Sequence, residues 1–133
     1  WHEGATSFEG VKVTQDKTAA EKYSLNYIDG KHGNGLSTDP AYIHTGSNSG
    51  YQAINLAYLM GASRILLTGY DMQISKSGAA HWFGDHPDQI RSCYPKWLSI
   101  FQTIADQRLI DIINCTRDTA LTCFPSANIE DAL

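Results

Sequence analysis

The sequence predicts an α/β fold, a Rossmann-like three-layer sandwich around a mainly parallel sheet, forming the carboxyl part of a larger domain. Three observations carry this expectation. Residues from Ser49 to Met60 are apolar on almost every face, which marks a buried helix. Ile65-Leu66-Leu67 is a continuous apolar run of the kind found in a parallel strand covered on both sides. A second helix and a second apolar run, Leu109 to Ile113, then repeat the order. Strand and helix in alternation make right-handed crossovers and a parallel sheet.

Along the chain, residues 1–10 read as irregular. Val11-Lys12-Val13-Thr14 alternates with β-branched residues and predicts a short strand. Asp16 stands where a cap is needed for a helical turn over Thr18 to Lys22. Tyr23 to Ile28 alternates weakly, as a strand does. Asp29 to Pro40 holds three glycines, Asn34, Ser37 and Pro40, which predicts a loop of the length used for lids and binding segments. Ile43-His44-Thr45 reads as a short strand. Gly61 is placed to cap the buried helix in the left-handed conformation. Residues 72–87 read as loop. A long helix is expected from Asp88 to Arg108, kinked or broken at Pro95, with Ile90, Trp97, Leu98, Phe101, Ile104 and Ala105 on its apolar face. Asn114-Cys115-Thr116 follows the last strand, and a short closing helix is expected after Pro125. No internal repeat is present.

Length and composition bound the function. The 133 residues form a single domain, 1–133. The net charge of −4, with no basic stripe, argues against a duplex nucleic-acid partner. The three cysteines, Cys93, Cys115 and Cys123, lack CxxC spacing, and an odd count without a framework fits a reducing cytoplasm. Cys115 and Cys123 read as small buried hydrophobes. No apolar run reaches the roughly 20 residues that span a bilayer. The first residue is Trp1 rather than Met, so the domain is expected to be truncated at its amino end. Oligomeric state leaves no signal in the sequence.

Three constellations can carry chemistry. Gly46-Ser47-Asn48-Ser49-Gly50 opens the buried helix, where free backbone N–H groups and the helix dipole favour a phosphate or carboxylate. It has neither the GK[ST] ending of a P-loop nor the GxGxxG of a dinucleotide fold. The same residues also serve simply as a turn and a cap. Gly69-Tyr70-Asp71 ends the central strand, where an acid can meet a ribose hydroxyl, an amine or a metal, or can cap a turn. His81-Trp82-Phe83-Gly84-Asp85-His86-Pro87 gathers two imidazoles, an acid and two aromatics in one loop. His81 and His86 are candidate proton acceptors, since imidazole titrates near neutrality. The spacing matches no zinc signature. His44 and His32 are weaker candidates.

The stretch from His44 to Pro87 resembles phage and bacterial proteins related to the bacterial sialyltransferases and to the archaeal pterin diphosphokinase-like family. The likeness rests on Thr45-Gly46 with Asn48-Ser49-Gly50, on Leu56-Ala57 through Gly61-Ala62 into Ile65 to Asp71, and on His81. The later segments Ile112 to Thr116 and Cys123-Phe124-Pro125 look like phage homologues of the same group. The resemblance implies that Asn48, Ser49 and Gly50 hold the donor's phosphate or carboxylate and that His81 takes the acceptor's proton. It implies a metal-independent enzyme. In the pterin-kinase-like relatives, the acid ending the strand also lines the nucleotide site. Those families open with a Gly-x-Gly-Pro-Ser-like nucleotide loop that this chain lacks.

The expected function is therefore a nucleotide-dependent transferase, most like sialyltransferases, moving a sugar from a nucleotide-sugar donor to a hydroxyl acceptor. His81 and His86 are the candidate catalytic residues. Gly46, Asn48, Ser49, Gly50, Tyr70 and Asp71 are the candidate donor-binding residues. No metal or other cofactor is expected on this reading. The alternatives are diphosphoryl transfer from ATP, with Mg²⁺ near Asp71 or Asp85, and a non-catalytic phage binding protein of the same fold.

Overall fold

The computed structural model describes residues 7–75, 78 and 93–133. Among them the chain is mixed α/β, with short strands that pair in parallel two by two. The elements in order are β1 (Val13–Thr14), α1 (Lys17–Tyr23), β2 (Asn26–Tyr27), β3 (Asp29–Lys31), β4 (Tyr42–His44), α2 (Ser49–Leu59), β5 (Arg64–Leu67), α3 (Tyr94–Gln107), β6 (Asp111–Asn114) and α4 (Ile129–Ala132).

Strands β2 and β3 run on through Ile28 as one extended segment. The N–H groups of Asn26 and Ile28 donate to Lys12 and Thr14 of the β1 segment at 2.9 and 3.0 Å. Lys31 presents its carbonyl to Thr45 N, beyond β4, at 3.0 Å. Successive residues of an extended chain address opposite edges, so this segment lies between β1 and β4. Strands β5 and β6 form a separate parallel pair, with Arg64 opposite Asp111 and Leu67 opposite Asn114. Helix α2 carries the chain from β4 to β5, and α3 carries it towards β6.

Several expectations hold. Asp16 caps α1 by accepting from Ala19 N at 3.1 Å. Asn48 caps α2 in extended geometry, and Gly61 follows that helix at φ +88°. Pro95 stands in the first turn of α3, where a residue has no intrahelical acceptor for its N–H and proline loses nothing; the earlier part of the expected helix, residues 88–92, lies outside the described residues. Others are corrected. Asp29-Gly30-Lys31 is a strand rather than loop, since pairing with β4 needs only backbone groups. A Cβ on Gly30 would lie 2.9 Å from the Thr45 methyl, so a larger residue there would press on the turn beyond β4. The last strand begins at Asp111, two residues later than its apolar run suggested.

The core gathers Leu36, Tyr51, Ile54, Leu67, Phe101, Ile104, Ile112, Leu121 and Phe124. Tyr51 of α2 meets Phe101 of α3 edge-on, with ring centroids 5.6 Å apart. Helix α2 turns Tyr51, Ile54 and Asn55 inward, a spacing of three and four that makes one face.

Two side-chain amides do the work of missing strands. Leu36 and Ser37 are buried and belong to no strand, so their backbone groups need other partners. Asn55, fully buried, accepts from Ser37 N at 2.9 Å and donates to Ser37 O at 3.0 Å. Its Oδ1 also accepts from His44 N at 2.9 Å, which satisfies the outer edge of β4. Gln107 at the end of α3 treats Leu36 the same way, accepting from its N–H and donating to its carbonyl at 3.2 Å. Replacing Asn55 by Ala strands these groups in the interior and is expected to cost about 2–4 kcal/mol in chemical denaturation. Gln107→Ala is expected to cost only about 1 kcal/mol, because its exposed end lets water substitute. A loss for Asn55→Ala no larger than that for Gln107→Ala would show that the buried amide is not the joint.

Candidate functional site

The turn between β4 and α2 is built by its sequence. Gly46 and Ser47 both take positive φ, +51° and +52°, as the central residues of a tight type I′-like turn require. Thr45 O accepts from Asn48 N across it at 3.1 Å, and from Gln52 Nε2 at 3.1 Å. Gly46 cannot carry a side chain here, because a Cβ would lie 2.6 Å from the Tyr51 ring. Asn48 then closes two helix donors: its Oδ1 accepts from Tyr51 N and its carbonyl from Gln52 N, both at 3.1 Å. The N–H groups of Ser49 and Gly50 meet no acceptor among the described residues. They are the donors that a helix start leaves over.

Tyr70 and the start of α3 wall this turn. The Tyr70 hydroxyl donates to Gly50 O at 3.1 Å, and its ring stands edge-on to Phe101 at 5.9 Å. Burial pushes its phenol above the ordinary value, so it stays protonated and remains a donor. Its backbone is held by two threonines: Tyr70 N donates to Thr116 Oγ1 at 3.0 Å, and Thr119 Oγ1 donates to Tyr70 O at 2.6 Å. Buried Asn114 fixes that loop in turn, donating to Leu121 O at 3.0 Å and accepting from Thr116 N at 3.1 Å. Trp97, in the first turns of α3, donates its indole N–H to Ser47 O at 3.1 Å.

Gly46, Asn48, Ser49, Gly50 and Tyr70 are thus gathered at one place, with Tyr70 positioning the helix start through its hydroxyl. Asp71 follows Tyr70 with an exposed side chain, and its carboxylate has no partner among the described residues; its carbonyl accepts from Ala120 N at 2.8 Å. His81 and His86 lie outside the described residues, as do Trp82, Phe83 and Asp85. Among the described residues no three His, Cys, Asp or Glu side chains gather as a metal site.

Trp97 was legible only as part of an apolar face, and the role of its indole N–H was missed. A tryptophan close behind a helix-starting proline was the available signal, since its polar atom needs a partner when covered. His44, the weaker candidate, is held by a local partner. Its Nδ1 lies 3.0 Å from Gly35 O, which can only accept, so Nδ1 carries a proton. Tyr51 OH donates to the same carbonyl at 2.6 Å. His44 therefore anchors the Gly-rich loop, and Gly33 lies directly over its ring.

A larger cavity, about 420 Å³, lies elsewhere, around the start of β6, lined by Ser63, Arg108, Leu109, Asp111 and Cys123 among others. Burial pushes the Cys123 thiol up to about 11, so it is not a thiolate at neutral pH. This is the amino end of the β5–β6 pair, away from the turn that opens α2.

Comparison of the chain with protein-family models, with curated proteins and with solved structures returned no match. The geometry alone therefore carries the assignment of this site.

Gly50 offers a test of the arrangement. Glycine to alanine within a helix ordinarily gains about 1 kcal/mol. Here a Cβ would stand 2.8 Å from Tyr70 Cε1, so Gly50→Ala is expected to lose stability. In a Tyr70→Ala background the same change should become neutral or stabilising. A melting-temperature cycle in which Gly50→Ala acts alike in both backgrounds would remove Tyr70 from contact with the helix start.

Proposed function

We propose that this chain is the donor-holding part of a nucleotide-dependent transferase, sialyltransferase-like and metal-independent, built as a Rossmann-like three-layer sandwich. One observation carries the reading. Two adjacent N–H groups, of Ser49 and Gly50, meet no acceptor among the described residues at the start of an 11-residue helix, just beyond the carboxyl end of a parallel strand. In α/β sheets ligands bind at that edge, and a helix start is suited to receive phosphate.

In this reading the donor's phosphate accepts from Ser49 and Gly50. The acceptor hydroxyl gives its proton to His81, with His86 as the second candidate. The acceptor oxygen then forms its bond to the donor's anomeric carbon as the bond from that carbon to the phosphate oxygen breaks. The negative charge left on the departing nucleotide is stabilised where the helix dipole and the two N–H groups point. Asn48 and Tyr70 act as positioning residues: the first holds the turn, the second holds Gly50.

A second reading draws on Asp71, whose exposed carboxylate is unpartnered among the described residues. Diphosphoryl transfer from ATP would use it to hold Mg²⁺, with the helix start on the same phosphates. Thermal shift separates the two: stabilisation by CMP without metal supports sugar transfer, and stabilisation by ATP only with Mg²⁺ supports diphosphoryl transfer. No response to any nucleotide would leave a non-catalytic binding protein.

The donors themselves can be removed one at a time. Proline at the first helical position keeps the helix, and Asn48 already has the extended backbone that a residue before proline needs. Ser49→Pro is therefore expected to fold normally and to weaken CMP about tenfold, the cost of one hydrogen bond to a charged group. Ser49→Ala, which keeps the N–H, should bind as the parent does. Equal affinities for the parent and both variants would show that phosphate does not sit there. His81→Ala is expected to abolish turnover while sparing CMP binding, and full activity would exclude His81 as the proton acceptor.

A further inference from the structure

The cavity of about 420 Å³ at the amino end of the β5–β6 pair borders an unfinished sheet edge. Hydrogen bonds show which groups of β6 face where. Cys115, just past its end, donates its N–H to Leu67 O of β5 at 2.8 Å, so the odd-numbered residues address β5. Even-numbered residues then address the other edge. Asn114 does so: its N–H donates to Pro125 O at 2.8 Å, and its carbonyl accepts from Ala127 N at 3.4 Å. Those two bonds set Ser126 beside Asn114 in a parallel bridge.

The bridge stops after one rung, and a proline is the reason. In a parallel ladder the preceding rung joins Ile112 N–H to the carbonyl of residue 123, and the N–H of residue 125 to Ile112 C=O. Residue 125 is Pro125, which has no N–H to give. Neither bond is formed, and the Ile112 N–H and C=O have no partner among the described residues. Ile112 is nevertheless only 5 % exposed. Buried backbone groups without a partner are rare, because each costs free energy comparable to a lost hydrogen bond. The cavity is lined by both sides of this gap, by Ile112 on β6 and by Cys123, Phe124 and Pro125 opposite. Ile104 and Leu109 add apolar wall, and the volume falls within the roughly 300–1,000 Å³ of ligand sites. Two charged residues also line it. Asp111 is paired with Arg64 at 2.6 Å, whereas the Arg108 guanidinium has no partner among the described residues.

We infer that an extended, apolar segment of another polypeptide adds to this edge as a strand, with a carboxylate of that segment on Arg108. Its carbonyl and N–H take the two groups of Ile112 that Pro125 leaves open, so recognition runs through main chain. Ile104, Leu109 and Phe124 receive its apolar side chains. A purely apolar molecule filling the cavity would leave both Ile112 groups unmet, and the adjacent donor and acceptor therefore favour a peptide.

Nuclear magnetic resonance of the whole chain, titrated with the blocked peptide acetyl-Val-Thr-Val-Glu-amide, tests this. The Ile112 amide is expected to shift on binding and its hydrogen exchange to slow about tenfold or more. The Asn114 amide, already paired with Pro125, should keep its rate. The same peptide methylated on every backbone nitrogen keeps the side chains and loses the donors, and should bind about tenfold more weakly. Replacing its Glu by Lys should weaken binding a few-fold at low salt. Pro125 is exposed, so Pro125→Ala retains the fold. It supplies the missing N–H to Ile112 and should lower peptide affinity about tenfold by closing the edge on itself. Equal binding of the methylated peptide would overturn strand addition, as would an unaltered affinity in Pro125→Ala. Binding that leaves the Ile112 amide untouched, or no binding at millimolar peptide, would overturn the site itself. Indifference to Glu or Lys would remove Arg108 from it.

Discussion

The arrangement depends on one buried amide. Asn55 lies fully inside the molecule, on a helix that is otherwise apolar along its inward face. A buried amide without partners would be costly, and here it makes three hydrogen bonds to two different backbone segments. Through it α2, the outer edge of β4 and the segment Leu36-Ser37 become one unit. Backbone pairing joins β3 to β4 and β5 to β6, and no named strand pairing links the two sets. Asn55 and Gln107 supply side-chain amides where a neighbouring strand would otherwise supply backbone groups.

That joint fixes the helix start. Asn55 sits two turns below the turn at Gly46, so the register of α2 against β4 is set from within the helix. Asn48 and Gln52 then tie the turn to itself, while Tyr70 and Trp97 tie it to β5 and α3. Each of these bonds consumes a group that could have competed for the last helix donors. What remains is a pair of N–H groups whose direction is set by rigid elements rather than by a free loop. On the phosphate reading proposed above, donors held in this way would need no rearrangement to meet negative charge.

The carboxyl ends of β5 and β6 are knitted by short polar side chains. Asn114, Thr116 and Thr119 satisfy one another and the backbone of Tyr70, which lets the chain turn sharply there without leaving buried groups unpaired. The cost falls on local backbone: Met72 takes φ +49°, as Ser47 does at +52°. Non-glycine residues in that region carry some strain.

Read alone, the sequence determined the local structure. Asp16 and Asn48 as caps, Gly61 after the buried helix, the apolar strands and the turn at Gly46 all follow from short-range chemistry: side chains that reach nearby backbone, or glycines that permit positive φ. Candidate donor-binding residues were legible for the same reason, because a helix start announces itself within five residues. Where short-range patterns were weak the reading slipped. Asp29-Gly30-Lys31 pairs through backbone alone. Only the tertiary structure decided which polar groups meet across long separations. Asn55 with Ser37, Gln107 with Leu36, Trp97 with Ser47 and Gln15 with Gln52 are joined by packing of distant segments, and a long-range hydrogen bond made by an uncharged side chain leaves no periodicity in the sequence from which it could be read.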